Sequence, residues 1–336
     1  MIKFAIIGAG GIAVQHAEAL SKLDNTIIEA VIDTDQEKAK AMAAKYGGQA
    51  YKSLEDCYKK VDAVSILTPP STHRQLCLNA IALDKPIICE KPLSISVEDA
   101  QAIADGAEQK NSLFMTAFNM RFRKSYRRLK DTISSGTIGD PINYWCQRLG
   151  LGAGGTGGWK GYNWRTDPSL LCGMTIESLS HDIDMIRWMA GEIESVKAYT
   201  NESITELPGF DDNANVVMKL KNGAIASIHA SWSSHIGLNA RGMIGSEGTA
   251  IVEGHSIWHT DRFRFKTADM EYEQMEMIED KLDALSYLEE VRHFVSCVEK
   301  DQQPQTTARD GLMTVKISQA ILSSAKTNET VMINAG

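Results

Sequence analysis

The sequence predicts an α/β protein with a doubly wound parallel sheet at the N-terminus, followed by an α+β domain with a large, mostly antiparallel open sheet. Three observations support this. Apolar runs alternate with helical patterns up to residue 118, a glycine-rich turn joins the first run to the first helix, and beyond about residue 120 strands with hairpin turns dominate. Because 336 residues exceed one ordinary core, we predict two domains, residues 1–120 and residues 121–336.

Composition and charge exclude several classes of protein. Hydrophobic residues make up 43% and charged residues 23%, which is ordinary for a globular enzyme. The net charge of −8 argues against a nucleic-acid partner, because the locally basic segment 121–130 has the spacing of a solvated helix face. No apolar run approaches the ~18 residues that a membrane span needs, and no signal peptide precedes the first strand.

The six cysteines show no C-x-x-C motif and no Cys/His ligand spacing. We therefore expect neither a metal site nor disulfides. Such cysteines are typical of small buried hydrophobic residues in a reducing compartment, so we expect a cytoplasmic protein.

The first motif is a glycine-rich turn, GAGGIA at residues 8–13, which follows an apolar strand and opens a helix. In a Rossmann-type unit, Gly8 would permit the tight turn and Gly10 would let the backbone approach a pyrophosphate. Ala13 takes the third small position, where the helix packs against the strand. The helix N-terminus then offers N–H groups to the anion. The cofactor-binding residues predicted here are Gly8, Gly10, Gly11, Ile12 and Ala13.

The second strand, TIIEAVID, ends in Asp33. A carboxylate at this strand tip can accept hydrogen bonds from the adenosine ribose hydroxyls and would repel a 2′-phosphate. Thr34 and Asp35 follow, so no arginine is available for that phosphate. We therefore predict NAD as the cofactor in preference to NADP. Aspartate is also common as a helix N-cap, although Asp35 is better placed to cap the helix that follows.

Two loops end later strands of the same sheet: TPPSTH at residues 68–73 and the EKP motif at residues 90–92. Ligands on open parallel sheets bind beyond the carboxyl ends of the strands, where both loops lie. A lysine before a proline is held by a rigid turn, so Lys91 can polarise a substrate oxygen, whereas an ordinary lysine would lie on a solvated helix. The cofactor-binding residues predicted in these loops are Thr68, Pro69, Pro70, His73, Glu90 and Lys91.

The second half is predicted to carry a helix over residues 122–135, a series of strands, and closing helices near 282–299 and 309–325. Turns with NG at 222–223 and SEG at 246–248 predict hairpins.

A glycine-rich segment, GLGAGGTGG at residues 150–158, lacks the strand-to-helix junction of a phosphate loop. We expect a mobile loop that can fold over substrate. Trp164 and Arg165 follow it. They either bind a sugar by stacking and hydrogen bonding or form a domain-packing cluster, and the sequence favours neither.

The segment ESLSHDID, residues 177–184, is the candidate for proton transfer. Spacings of four and three place Glu177, His181 and Asp184 on one face of a predicted helix. A carboxylate one turn before a histidine, with a second one turn after it, can tune and orient an imidazole. The alternative is a capped surface histidine.

Together, GAGGIA with Asp33, TPPSTH, EKP, FNMRF, GTIGDP and SHDID resemble the glucose–fructose oxidoreductase/inositol dehydrogenase family, also called Gfo/Idh/MocA, over nearly the whole chain. The resemblance implies that the EKP lysine, here Lys91, and His181 are catalytic. Glu177 stands where the inositol dehydrogenases usually carry aspartate, so it either relays protons or only positions the histidine. Asp184 matches an acid that binds substrate hydroxyls, and Tyr287 is a weaker match to a substrate-side tyrosine.

The resemblance also implies that the open face of the second sheet forms the contacts of a homodimer or homotetramer. An ordinary half-buried sheet is the alternative.

These predictions combine into one reaction. A nicotinamide moves hydride, so its partner needs a carbon that bears a hydroxyl or carbonyl group. We expect an NAD-dependent dehydrogenase acting on a secondary hydroxyl of a sugar, sugar derivative or inositol. His181 would be the base, Glu177 its orienting acid, and Lys91 the group that stabilises alkoxide character. Asn119 and Arg121, where the first sheet ends, are expected to bind this small polyhydroxylated substrate.

Two other functions fit the same motifs. One is a dinucleotide-binding sensor or regulator without catalysis. The other is an enzyme that uses tightly held NAD for transient internal redox, such as glycoside cleavage.

Overall fold

The structure, a computed structural model, describes residues 1–152, 173–203, 210–256, 259–278 and 284–334. The chain divides into two compact units. The first unit contains residues 1–119 and 283–315, and the second contains residues 120–282 and 316–336.

The first unit is built on a six-stranded parallel sheet. Its strands are β1 (Ile2–Ile7), β2 (Thr26–Ile32), β3 (Gln49–Tyr51), β4 (Ala63–Ile66), β5 (Ile87–Glu90) and β6 (Phe114–Ala117). The helices between them are α1 (Gly11–Ser21), α2 (Gln36–Tyr46), α3 (His73–Ala82) and α4 (Val97–Gln109). The strand order β3-β2-β1-β4-β5-β6 places a topological switch point between β1 and β4. A crevice for ligand opens beyond the strand ends at such a point.

Local sequence explains these elements. Every residue of β4, β5 and β6 is buried, as expected for the continuous apolar runs of a parallel sheet. The helix cap predicted at Asp35 is confirmed, and Ser96 caps α4 in the same way. Asp35 Oδ1 accepts from the N–H groups of Glu37 and Lys38 at 3.1 and 3.3 Å, and Ser96 Oγ accepts from the N–H of Asp99 at 3.2 Å.

The second unit is built on a nine-stranded sheet. Its helices are α5 (Lys124–Ser134), α6 (Gly173–Glu177) and α7 (Ser180–Ala190). Its strands are β7 (Pro141–Leu151), β8 (Ile193–Asn201), β9 (Asn213–Leu220), β10 (Ile225–Ser231), β11 (Ser233–Gly245), β12 (Gly248–Gly254), β13 (Arg262–Thr267), β14 (Gln274–Met277) and β15 (Val331–Met332). The order is β14-β13-β12-β11-β7-β10-β9-β8-β15. All neighbours pair antiparallel except β7 and β10, which are parallel.

Both predicted sheets are therefore confirmed. So are the two hairpins, because β9 pairs antiparallel with β10 around Asn222 and Gly223, and β11 pairs antiparallel with β12 around Ser246 and Glu247. Among the described residues, no helix combines the length and apolar character required to cross a bilayer.

Residues 283–315 pack with the first unit, whereas the sequence predicts one continuous second domain over 121–336. They contain α8 (Ala284–Lys300) and the start of α9 (Ala308–Thr327). The ring of Phe294 lies 6.1 Å from that of Phe4 in β1. The apolar face of α8 packs against the first sheet and α1. Because α8 is far from these elements in the sequence, local sequence patterns do not predict this contact.

Candidate active site

The glycine-rich turn between β1 and α1 leaves open space above its backbone. Gly8 has a φ of 96°, and a Cβ there would lie 2.7 Å from the carbonyl oxygen of Leu67, so only glycine fits. A Cβ on Gly10 or Gly11 would meet nothing within 4 Å. Gly10 is the N-cap of α1, and no side chain caps this helix. The open backbone and the helix N-terminus fit a bound pyrophosphate.

Asp33 follows β2 beside this turn, and two backbone N–H groups hold its carboxylate. Oδ2 accepts from Ala9 at 2.7 Å, and Oδ1 accepts from Asp35 at 2.7 Å. The side chain remains partly exposed. The carboxylate therefore has a defined position next to the glycine-rich turn, which fits a contact with the adenosine ribose of a dinucleotide.

His73 connects the two loops predicted to bind the cofactor. Its ring is buried, with Nε2 2.8 Å from the carbonyl oxygen of Thr68 and Nδ1 3.2 Å from that of Leu93. Burial lowers the pKa of His73, although these carbonyl groups act in the opposite direction. His73 therefore supports the loops from within the unit. At the loop surface, Thr68 and Pro69 are partly exposed and Pro70 is buried.

Lys91 directly follows β5, and Glu90 holds the turn that carries it. Glu90 Oε2 accepts from the backbone N–H of Lys91 at 3.0 Å, and its Oε1 lies 3.3 Å from Nε2 of His16 in α1. The peptide bond between Lys91 and Pro92 is cis. Glu90 is buried and Lys91 is partly exposed. Glu90, the acid before Lys91, is thus held in place by His16 of α1.

Of two more predicted residues, Tyr287 lies in α8 and Asn119 contacts that helix. The ring of Tyr287 lies 5.8 Å from the ring of His16. Asn119 Nδ2 donates to the hydroxyl of Ser286 at 3.4 Å. Tyr287 is therefore a neighbour of the histidine that contacts Glu90.

Glu290 is a further residue of this region that the sequence does not predict. It lies in α8 one turn after Tyr287, and it is 0% exposed. Burial, followed by the charge of Glu90, raises the pKa of Glu290 well above its usual value. The sequence does contain a signal for this burial, because Glu290 lies on the same face of the helix as the apolar residues Val291 and Phe294.

In the second unit, the segment predicted as one helix through residues 177–184 is two helices. Ser178 and Leu179 separate α6 from α7, and their N–H groups both donate to the carbonyl of Met174, at 2.8 and 3.0 Å. The regular helical repeat is lost at this point. Glu177 and His181, both buried, therefore lie on different helices, and the prediction that one helix face carries them is wrong.

Asp184 is paired with Arg121, another residue predicted to bind substrate. Nε and Nη2 of Arg121 donate to the two carboxylate oxygens of Asp184 at 2.8 and 2.6 Å. Both side chains are buried, and the guanidinium lies 5.6 Å from the ring centroid of Trp188. Buried charges require such partners. The sequence predicts two substrate contacts here, and the structure pairs them with each other.

Asp182, next to His181, lies at the centre of a buried network that the sequence does not predict. Its Oδ2 accepts from Nη1 of Arg148 in β7 at 3.1 Å, and its Oδ1 accepts from Arg241 in β11. Burial alone would raise the pKa of Asp182, but Arg241 and Arg148 hold it below its usual value. The ionised carboxylate ties the first turn of α7 to two strands. We call Arg148, Asp182 and Arg241 the Asp182 network.

Asp211 holds the start of α6. Its Oδ2 accepts from the N–H and the hydroxyl of Thr175 at 3.0 and 2.6 Å, and its carbonyl accepts from the N–H of Met174 at 2.8 Å. Gly173 has a φ of 56° beside it, and a side chain there would collide with the carboxylate. Burial raises the pKa of Asp211 to about 6 in spite of these hydrogen bonds.

This raised pKa predicts a pH-dependent stability. The unfolded chain loses the proton near the ordinary value of 3.8, whereas the folded protein loses it near pH 6. Between these values the folded state binds more protons. The contribution of Asp211 to the free energy of unfolding therefore falls by on the order of 3 kcal/mol as the pH rises through this window. We expect Asp211→Asn to remove this fall, which urea unfolding on both sides of the window would measure. Equal pH slopes for the two proteins would contradict the assignment.

Comparison with known families identifies the chain. Residues 2–118 match an oxidoreductase family with an NAD-binding Rossmann fold, and residues 126–251 match the GFO/IDH/MocA C-terminal domain. The chain belongs to the Gfo/Idh/MocA oxidoreductase family. The resemblance drawn from its motifs is confirmed, and the protein is an NAD(P)-binding oxidoreductase of this family.

Relatives of this Gfo/Idh/MocA protein include dehydrogenases of inositols. It is 28% identical over 343 residues to myo-inositol 2-dehydrogenase of Thermotoga maritima, a match that covers 99% of this chain and 98% of the relative. It is 26% identical to scyllo-inositol 2-dehydrogenase (NAD(+)) of Bacillus subtilis, with 99% and 96% covered. Its fold is similar to that of levoglucosan dehydrogenase in complex with NADH and levoglucosan, with a TM-score of 0.87, 21% identity, and 99% and 100% covered.

The predicted site residues of this Gfo/Idh/MocA protein fall into three groups. The residues of the first unit are Gly8, Gly10, Gly11, Ile12, Ala13, Asp33, Thr68, Pro69, Pro70, His73, Glu90, Lys91, Asn119 and Tyr287. The residues of the second unit within the described ranges are Arg121, Glu177, His181 and Asp184. Trp164 and Arg165, with most of the glycine-rich segment at 150–158, lie outside the described residues.

Proposed function

We propose that this protein is an NAD-dependent dehydrogenase that oxidises a secondary hydroxyl group of a sugar, a sugar derivative or an inositol. The supporting observation is that the chain carries both polar groups that alcohol oxidation needs. Lys91 stands on the turn after β5, at the carboxyl edge of the nucleotide-binding sheet, and His181 stands in the first turn of α7. Two relatives that match over the full length are inositol dehydrogenases, which favours a polyhydroxylated substrate.

In the proposed mechanism, His181 accepts the proton of the substrate hydroxyl, because an imidazole can act as a base near neutral pH. Lys91 stabilises the negative charge that develops on the same oxygen. Glu177 orients the imidazole from the end of α6. Bound NAD supplies the acceptor for the hydride. The glycine-rich turn and Asp33 hold the dinucleotide.

Polar side chains on several elements would select the substrate. The candidates are Asn119, Arg121, Trp164, Arg165, Asp184 and Tyr287. Arg121 and Asp184 bind each other through two hydrogen bonds. We therefore propose that this pair affects substrate binding mainly by fixing the position of α7.

The test is NADH absorbance with NAD or NADP against a panel of cyclitols, aldoses, sugar acids and ketoses. NADH formation with one substrate class would support the proposal. NAD binding in calorimetry without turnover on any member would contradict it and favour a dinucleotide sensor. Cofactor that survives purification, with product formed but no net NADH, would favour internal redox instead.

We propose NAD over NADP because the Asp33 carboxylate, held by the N–H groups of Ala9 and Asp35, would repel a 2′-phosphate. Hydrogen bonds to a charged group contribute ~1.5–3 kcal/mol, so we expect Asp33→Ser to lower kcat/KM with NAD by roughly 10–100-fold. The same change should raise kcat/KM with NADP. Initial rates with each coenzyme measure this, and Glu37→Ser, which removes a nearby exposed acid, is the control. An unchanged ratio of the two coenzymes would refute the assignment.

We also propose a homodimer or homotetramer formed through the second sheet. The exposed large apolar side chains of this sheet include Tyr199, Val217, Ile225 and Ile244, one each on β8, β9, β10 and β11. The strand register places them on one face of the sheet. An exposed apolar patch of this kind favours a protein contact. A monomeric mass in solution would count against it.

We propose a cytoplasmic location as part of the same assignment. Five of the six cysteines lie in the described residues, and these are buried thiols. Cysteines that remain free thiols suit a reducing compartment.

A further inference from the structure

The two helices that carry Glu177 and His181 meet at a break that is bonded to α6 through the Met174 carbonyl but makes a long backbone hydrogen bond to α7. In a continuous helix, the carbonyl of Ser178 would accept the N–H four residues later. Here it accepts the N–H of His181 at 3.4 Å, which is a long bond. Regular bonding resumes with Ile183, whose N–H donates to Leu179 at 2.8 Å. The backbone alone therefore holds the start of α7 loosely.

Arg148 bonds to a residue of this break and to the first turn of α7. Its Nη1 donates to the carbonyl of Ser178 at 3.1 Å and to Oδ2 of Asp182 at 3.1 Å. The side chain is 4% exposed, so these bonds are shielded from water and are electrostatically stronger for it. β7, which carries Arg148, lies between β11 and β10 inside the sheet. Arg148 therefore ties the break to an interior strand of the sheet, which is paired with another strand on each side.

Arg241 bonds to the same carboxylate from the neighbouring strand. Its guanidinium donates to Asp182, to Oδ1 of Asn239 at 2.6 Å, and to the hydroxyl of Tyr126. Arg148 and Arg241 share burial, charge and an acceptor. Arg148 also bonds to Ser178, whereas Arg241 also bonds to Asn239 and Tyr126. A change at Arg241 therefore disturbs the same carboxylate but leaves the bond to Ser178 in place, which makes it the control.

We propose that Arg148 is a positioning residue for His181, because it fastens Ser178 and Asp182 together and so sets α7, with the imidazole, relative to α6. The inference rests on the proposed function in that His181 is the base. Proton transfer is sensitive to placement, since a misplacement of ~1 Å can cost about 100-fold in rate. Loss of Arg148 would leave the Ser178 carbonyl with the long His181 bond.

The experiment compares Arg148→Met, Arg148→Lys and Arg241→Lys in the full-length protein. We expect kcat of Arg148→Met to fall by roughly 10–100-fold, while KM for substrate and Kd for NAD change by less than about 3-fold. Arg148→Lys keeps a charged donor for one of the two acceptors, so it should recover part of kcat. Arg241→Lys keeps the bond between Arg148 and Ser178, so its kcat should stay within about 3-fold of wild type.

A second readout does not depend on a known substrate. NMR titration of the His181 ring, assigned by comparison with His181→Gln, reports the surroundings of the imidazole. Its midpoint should shift in Arg148→Met and stay in place in Arg241→Lys. If Arg148→Met does not fold in urea-unfolding controls, Arg148→Lys carries both measurements.

Two results would overturn the proposal: an unchanged titration midpoint in the folded Arg148 variant, or an equal loss of kcat in the Arg148 and Arg241 variants. Absence of turnover by the wild type across the substrate panel would count against the proposed function alone. In that case the NMR comparison still decides the role of Arg148.

Discussion

Alanine in place of Lys91 or His181 should leave a protein that binds NAD but turns over little substrate. We expect each change to lower kcat by about 10²–10⁴-fold, the range for a positioned acid–base group or an electrostatic stabiliser. NAD affinity should stay close to wild type, because the glycine-rich turn and Asp33 are unchanged. Steady-state rates on the best substrate of the panel, with calorimetry for NAD, measure both quantities.

Two variants elsewhere serve as controls for this pair. His235→Ala and Lys38→Ala remove an exposed histidine in β11 and an exposed lysine in α2, and both should keep wild-type kcat. Near wild-type kcat in Lys91→Ala and His181→Ala would refute the mechanism. If Lys91→Ala lost NAD binding together with turnover, the lysine would be assigned to cofactor binding instead of chemistry.

Asp182→Ala should cause the largest loss of stability of any single change considered for this protein. Its carboxylate is the shared acceptor of Arg148 and Arg241, and all three side chains are buried. Removing one partner of a buried ion pair typically costs about 3–5 kcal/mol, because the remaining charge is left without compensation. Urea unfolding at neutral pH measures this loss.

The control for this stability change is Glu108→Ala. The carboxylate of Glu108 accepts from Arg309 at 2.9 and 2.8 Å, and the side chains of Arg309 and Glu108 are 36% and 52% exposed. Exposed pairs contribute only about 0–1 kcal/mol, so this variant should unfold close to wild type. A loss in Asp182→Ala no larger than that of the control would mean that the Asp182 network contributes little to stability.

The nucleotide-binding part of the fold could be predicted because its signals are local. Gly8 takes a positive φ beside Leu67, Gly10 leaves open space at the start of α1, and Asp33 follows directly from the end of β2. The caps at Asp35 and Ser96 depend on residues within one turn. Short-range chemistry of this kind is visible in a single sequence.

The second-unit residues were harder to predict because their partners are distant in sequence. Spacings of four and three between Glu177, His181 and Asp184 fit an unbroken helix as well as a broken one. The bond from Arg148 to Asp182 spans 34 positions, and the pair of Arg121 with Asp184 spans 63. Local pattern does not distinguish an acid paired in the core from one that faces a ligand.

The return of residues 283–315 to the first unit affects the order in which the protein folds on the ribosome. All six strands of the first sheet have been synthesised by residue 117, yet α8, which covers α1, follows only after residue 283. Multidomain chains generally fold from the N-terminus during synthesis. Here the nascent first unit must wait, with part of its apolar surface uncovered, while β7 to β14 of the second unit emerge. The unit that is synthesised first therefore completes its core late.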